Sequence, residues 1–237
     1  MPAKRRPERK SDVLNAMADY LLGSGVARAS LRPVAAASGM SPRMMLYHYS
    51  SKEALLVAAL REVRRRETAM LMREIGGARG PRSPDDFMRR VWQWYASPRR
   101  EPYLQVFFEA WGMSLRRPSL RSGFLDHVRK DFLAMAESVL EGRGYDARDA
   151  SAIATFLIAA FRGMLIDLVA NPRDRARLAD AAEIFIRVMR LMNDGMAPSA
   201  GAMLGDQPVP SRHADARSPG KARRPGRVAS GRRARGA

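Results

Sequence analysis

The chain has 237 residues, 46% of them hydrophobic, which is enough apolar content for a sizeable core, and its formal net charge of +18 favours polyanionic partners. It contains no cysteine, which excludes a disulfide framework, thiol catalysis and thiolate-bound zinc. Its three histidines, His48, His127 and His213, are far apart in sequence and in no metal-ligand spacing.

Residues 1–10 carry five basic side chains and one acidic one, and read as a flexible basic arm able to lie along phosphates or enter a minor groove. The start PAKRRPERK leads into an amphipathic helix rather than an apolar segment, so no signal peptide is expected. Ser11 is a good cap for that helix, with Asp12 in its first turn. Val13, Met17, Tyr20 and Leu21 recur at helical spacing as core residues, and Gly23 and Gly25 end the helix.

The stretch from Ser30 to Glu53, SLRPVAAASGMSPRMMLYHYSSKE, carries the densest pattern in the chain. Ser30 caps a short helix with Pro33 in its first turn, and Gly39 stands where a helix ends with a positive φ. Ser41 caps a second helix that has Pro42 at its first position, and Ser50 with Glu53 makes a capping box for a third. Together these form a helix-turn-helix. At 100° per residue Met45 and Tyr49 share one face of the second helix with Met40 close to it, and Ser41, Met44, Tyr47 and His48 share the other. A recognition helix enters the major groove by its N-terminal turns, so Ser41, Arg43, Met44, Tyr47 and His48 are the candidates for contact with double-stranded DNA. Ser30 and Arg32 at the head of the first helix are included in the set. Lys52 adds a cation beside the free N–H groups of the third helix, where a phosphate can bind.

This stretch resembles the DNA-binding domain of the TetR family of transcriptional repressors over about residues 11 to 58. The family's sequence of a hydroxyl residue, a small-residue helix, a glycine, a second hydroxyl, an aromatic pair, a histidine, an aromatic and a lysine is held here by Ser30, Val34–Ala35, Gly39, Ser41, Tyr47, His48, Tyr49 and Lys52. Leu46 stands where the family commonly has a phosphate-touching Tyr, and Tyr49 where Phe is commoner. The resemblance implies an all-α protein, with an N-terminal DNA-binding domain at 11–58, a linking helix at 59–75 through which a ligand acts, and a helical ligand-binding and dimerisation domain at 83–196.

Along the rest of the chain, the third helix of the motif runs to about Ile75 with Leu55, Leu56, Ala59, Leu60 and Val63 inward. GGARGPRSP at 76–84 is a turn-rich break taken as the domain boundary. Ser83 then caps a helix with the stripe Phe87, Val91, Trp94 and Tyr95. The next helix carries Leu104, Phe107, Phe108, Trp111 and Leu115. A third, from about Ser119 to Glu141, carries Leu125, Val128, Phe132, Met135 and Val139. Helices at 146–169 and 174–193 follow, one with Ile153, Leu157, Ala160, Met164 and Leu168 inward, the other with Leu178, Ala182, Phe185, Met189 and Met192 at a/d-like spacing. These two are expected to form a bundle with a second copy, with Ala160 and Phe185 in the subunit contact. Thr155, Arg162 and Asp167 make the first of them too polar for a membrane span, and a cytoplasmic protein is expected. From Ala197 the composition is Gly-, Pro-, Ser-, Ala- and Arg-rich with little to bury, so 197–237 is expected to be a disordered basic tail.

No catalytic residues, metal ligands or cofactor motif stand out, so an enzyme is not expected. The aromatic stripes, with methionines nearby, suit an adaptable apolar cavity. By the resemblance a small apolar ligand is expected there, lined by Trp94, Phe108, Trp111, Phe132 and Met164. The expected function is a homodimeric repressor that binds a palindromic operator and is released by that ligand. The alternatives are the same fold without an inducer, or a broad DNA-binding protein acting through its basic ends.

Overall fold

The computed structural model describes residues 10–77 and 80–194, which contain helices and turns and no strand. The arm, apart from Lys10, and the tail at 197–237 lie outside the described residues, as do positions 78 and 79 of the 76–84 break. In α1 (Lys10–Ser24) Val13, Met17 and Leu21 are fully buried, and Ser11 falls inside the helix rather than at its cap. Gly25 ends it at φ +78°, where a side chain would be strained. α2 (Leu31–Ser38) and α3 (Pro42–Tyr49) are separated by Gly39 at φ +70°. α4 (Lys52–Ile75) is capped by Ser51, whose Oγ accepts from Ala54 N at 3.0 Å. Ser50, expected to be that cap, instead turns the chain at φ +63°. The α3–α4 connection needs one residue in the left-handed region, so the capping role passes to the second of the two serines.

α4 is the spine of the molecule. Leu55, Leu56, Ala59, Leu60 and Val63 are buried, and beyond them the polar Glu67 is only 3% exposed. Its outer face is laced to α1: Glu62 accepts from Arg65 and Arg66, and Arg66 reaches Asp19 at 2.6 Å and Asn15 at 2.5 Å. The Arg65 hydrogen bond, with Arg66 assisting, holds the Glu62 carboxyl down to about 2. A carboxyl depressed on folding stabilises above its unfolded value and loses that contribution as pH falls. The α1–α4 contact should therefore weaken between about pH 4.5 and pH 2, and Glu62→Gln should flatten an acid-unfolding profile followed by helical circular dichroism in that window.

α5 (Pro84–Ala96) and α6 (Glu101–Ser114) are joined by a short 3-10 turn at Pro98–Arg100. Beyond α6, α7 (Pro118–Leu120) passes through a π turn (Arg121–Leu125) into α8 (Asp126–Glu141), so the helix expected at 119–141 is interrupted by one wide turn. The buried ridge of this segment runs Phe124, Val128, Phe132, Ala136, Leu140, one residue in four. Met135 and Val139, expected inward, are therefore exposed. In the π turn Gly123 lies against α4. A Cβ there would meet Val57 Cγ1 at 2.7 Å and Cγ2 at 3.0 Å, and the branched side chain of Val57 has no flexible end to swing aside. Gly123→Ala should cost about 1–3 kcal/mol in thermal unfolding, and Val57→Ala in the same chain should restore most of it.

α9 (Ala147–Ala170) and α10 (Arg175–Asp194) complete the described residues. The stripe Leu178, Ala182, Phe185 is buried within the chain, with Phe185 5.9 Å from Phe161, and Ala160 is half-buried. Leu178, Ala182 and Phe185, on the helix expected to meet a second copy, thus close the chain's own core, while Ala160 stays half-buried outside it. The faces left open are different ones: Phe156, Ala159, Gly163 and Ile166 on α9, and Ile184, Val188 and Leu191 on α10. Arg162 and Asp167 do not make α9 too polar for a bilayer by composition. Its most apolar 18-residue window has a mean hydropathy of 1.9, so by length and composition α9 could cross one, and 22% of that window is buried. A single continuous core runs from Val13 in α1 through α4 and α6 to Ala182 in α10, across the 76–84 break.

Candidate nucleic-acid interface

The orientation of α3 follows from its two faces. Met45 is fully buried and Tyr49 nearly so. The Tyr49 hydroxyl donates to the Lys10 carbonyl at 2.9 Å, and Lys10 Nζ stands 4.9 Å over the Tyr49 ring. This ties the end of α3 to the start of α1, where the basic arm joins. The opposite face is open: Tyr47 is 79% exposed and Met44 46%, and Ser41 and Arg43 are also exposed. Ser41 Oγ accepts from Met44 N at 3.3 Å, which satisfies one N-terminal amide. His48 is half-buried with its ring edge-on to Tyr47 at 5.7 Å. Leu46 is exposed beside them.

Flanking α3, Ser30 caps α2 in extended conformation without a side-chain bond, leaving its hydroxyl uncommitted to the helix, and Arg32 is exposed two residues on. Lys52 is exposed at the head of α4. Six of the eight residues expected to touch DNA therefore occupy the openings of three consecutive helices, and Tyr47 and His48 lie in the last turn of α3. Hydroxyls and backbone N–H groups there offer donors to phosphate, the cations offer charge, and the Met44–Tyr47–His48 face offers shape and hydrogen bonds to a base edge.

Three contacts invisible in the local sequence lock this unit to the remainder of the chain. The Glu109 carboxylate of α6 accepts from Val26 N at 2.5 Å and Ala27 N at 2.7 Å, on the loop leading to α2. Arg61 of α4 donates to the Gly123 carbonyl at 2.6 Å and lies 2.9 Å from His127 Nε2. Arg64, three residues on, pairs with Asp131 at 2.7 Å. One ridge of α4 thus carries the π turn and α8.

The five residues expected to line a ligand cavity all belong to or pack on the main core, but in separate surroundings. Trp94 donates from Nε1 to Glu67 at 2.5 Å and is covered by Arg100 at 3.7 Å. Burial pushes the Glu67 carboxyl above its ordinary value, opposed by the Trp94 bond and the Arg100 charge. Phe108 stands edge-on to Phe107, Phe132 lies under Arg64, and Trp111 lies under Arg162. Met164 is half-buried on α9. None of the five lines the open groove of about 660 Å³ at α1, α4 and α6, whose walls include Leu22, Val63, Glu67, Met70 and Tyr103. Nor do they line the smaller one of about 370 Å³ between α5 and α10.

No protein-family model matches the chain, and no curated protein matches it. Solved structures do. A transcriptional regulator from Rhodococcus sp. RHA1 is 24% identical, with a TM-score of 0.63, over 80% of this chain and 99% of that one. A protein from Mesorhizobium loti assigned to the TetR family of transcriptional regulators is 16% identical, with a TM-score of 0.59, over 78% of this chain and 96% of that one. A protein from Saccharomonospora viridis assigned as a transcriptional regulator, solved in complex with choline, is 19% identical, with a TM-score of 0.57, over 77% of this chain and 97% of that one. The chain has the fold of these regulators: all-α, with a helix-turn-helix followed by a helical body.

Proposed function

We propose that this protein, which shares the fold of the TetR-type regulators, is a cytoplasmic transcriptional regulator that binds duplex DNA as a homodimer and represses from a palindromic operator. The observation that carries the reading is the open face of α3. A large aromatic side chain, Tyr47, stands 79% exposed and edge-on to His48, on a capped helix whose other face is buried. Leaving that ring in water gains nothing for folding, and a groove-reading role accounts for it.

Two copies are needed because one eight-residue helix supplies few base contacts, and a two-fold pair reads both halves of a palindrome. The open apolar ridges of α9 and α10 supply the subunit contact. A small ligand in the helical body is the release signal, as the choline-bound fold relative suggests by analogy. Movement of α6 or α8 reaches the DNA-binding unit through Glu109 on the 26–27 loop and through Arg61 and Arg64 on α4. Tilting α4 changes the separation of the two recognition helices and lowers operator affinity.

Selection of bound fragments from random duplex DNA by the purified protein should return a palindrome. Tyr47→Ala should then cost about 1–3 kcal/mol of specific binding in gel shifts, with non-specific binding little changed. Recovery of fragments without common sequence would favour a broad DNA-coating role instead.

A further inference from the structure

The open groove at α1, α4 and α6 holds about 660 Å³, within the range of about 300–1,000 Å³ usual for small-molecule sites. Leu22 of α1, Val63 and Met70 of α4 and Tyr103 of α6 give it apolar walls. One carboxylate lies among them, that of Glu67, 3% exposed. A carboxylate in such a place is costly unless its oxygens find donors. Oε1 accepts from Trp94 Nε1 at 2.5 Å, but among the described residues Oε2 has only Arg100, at 3.5 Å. Neither Trp94 nor Arg100 lines the groove, so both reach the carboxylate from another side. Both are obligate donors, which fixes the carboxylate as an acceptor, and its two oxygens have room for further donors.

Charge narrows the class of occupant. Arg65, Arg66 and Arg73 also line the groove, and among the described residues only the first two have carboxylate partners, Glu62 and Asp19. Arg73 is exposed and donates only to the Ala69 carbonyl, at 3.3 Å. This surplus of positive charge opposes a cation, and the buried Glu67 opposes an anion. An uncharged molecule with a donor group meets neither obstacle.

We infer that this groove is the ligand site, and that its ligand is an uncharged, mainly apolar molecule with a hydroxyl or N–H group that donates to Glu67. The apolar part packs on Leu22, Val63, Met70 and the Tyr103 ring. Leu22 lies on α1, which packs on α2, and Tyr103 lies on α6 with Glu109. The occupant therefore bridges the two parts of the chain that Glu109 ties together. This rests on the ligand-responsive reading above and names the place and the class of ligand.

The test titrates the full chain at neutral pH by calorimetry with 1-naphthol, its methyl ether 1-methoxynaphthalene, anionic 1-naphthoate and cationic 1-naphthylmethylamine. Naphthol should bind at least about tenfold more tightly than each of the others. The ether is more apolar than naphthol, so burial alone would favour it, and the open groove has room for its methyl group. Ala69→Phe, in the groove wall, should abolish naphthol binding, and Glu67→Gln should cut the preference over the ether several-fold. Ala179→Phe fills the smaller groove between α5 and α10 in the same way and should change nothing. Absence of naphthol binding, equal binding of naphthol and its ether, or tighter binding of either charged probe overturns the inference. So does naphthol binding that Ala69→Phe leaves intact or Ala179→Phe removes, or a preference that Glu67→Gln leaves unchanged. No DNA enters these titrations, so their failure strikes this site without bearing on operator binding. Naphthol that binds as stated yet leaves operator gel shifts unmoved supports the site and removes it as the route of release.

Discussion

On the proposed α9–α10 subunit contact, glutamate at Ile184 and Leu191 together is expected to leave a folded monomer in place of the dimer. Leu191 is 67% exposed in the isolated chain and Ile184 53%, so neither substitution removes a contact that the fold uses. Their neighbours across the α9–α10 surface, Phe156 and Ile166, are similarly open. A large apolar side chain contributes about 1.5–3 kcal/mol when fully buried, and an unpaired carboxylate in its place costs more again. Two-fold symmetry doubles each change. The dimer constant should weaken on the order of a thousandfold or more. Sedimentation should show a folded monomer, and operator binding should fall with it because one half-site contact replaces two. A stable dimer from this variant would place the subunit contact on another face. Arginine at Phe185 makes an instructive contrast: that ring packs on Phe161 inside the chain, so the substitution should unfold the protein rather than separate its copies.

The α9–α10 case illustrates what periodicity can and cannot reveal. Both helices are apolar on more than one face, and the spacing of Leu178, Ala182 and Phe185 marks a buried stripe without saying what buries it. α3 was easier to read because its two faces differ in kind, and the burial of Met45 and Tyr49 against the exposure of Met44 and Tyr47 follows the 100° turn. Caps were legible at Ser41 and Ser83, where a single hydroxyl residue stands immediately before a proline at the first helical position. They were displaced where two stood in tandem, as at Ser50 and Ser51. The close approach of Val57 to Gly123 in the π turn left no clear mark, since it comes from a distant helix. Nothing in the local sequence marks Glu67 as buried, because Trp94 and Arg100, which make its burial tolerable, come from α5 and the turn after it. Glu109 was hidden in the same way, since its partners lie 82 and 83 residues earlier.

Glu109→Ala is expected to weaken operator binding without disturbing the dimer. In the native chain its two oxygens accept the amides of Val26 and Ala27, and these are charge-assisted bonds worth more than neutral ones. Gly25, immediately before them, holds φ +78°, and a Cβ there would come within 2.9 Å of Glu109 Oε2. The carboxylate and the glycine turn therefore fit as a pair, and together they fix the approach of the chain to Ser30 and α2. Removing the carboxylate leaves two amides without their partner, at about 1–3 kcal/mol each if water does not replace it. The loop should loosen before anything else does, because α1 and α4 keep their own contacts through Arg66. Hydrogen exchange should quicken at Val26 and Ala27 and remain slow at Leu55 and Leu60 in the buried stretch of α4. Operator affinity should fall by about ten- to a hundredfold, the equivalent of 1.4–2.8 kcal/mol. Glu109→Gln, which keeps one oxygen acceptor but turns an NH₂ group toward the second amide, should lie between the two. Rapid exchange at Val26 and Ala27 with unchanged operator affinity would detach this clamp from DNA binding and leave the Arg61 and Arg64 contacts on α4 as the route between body and recognition helix.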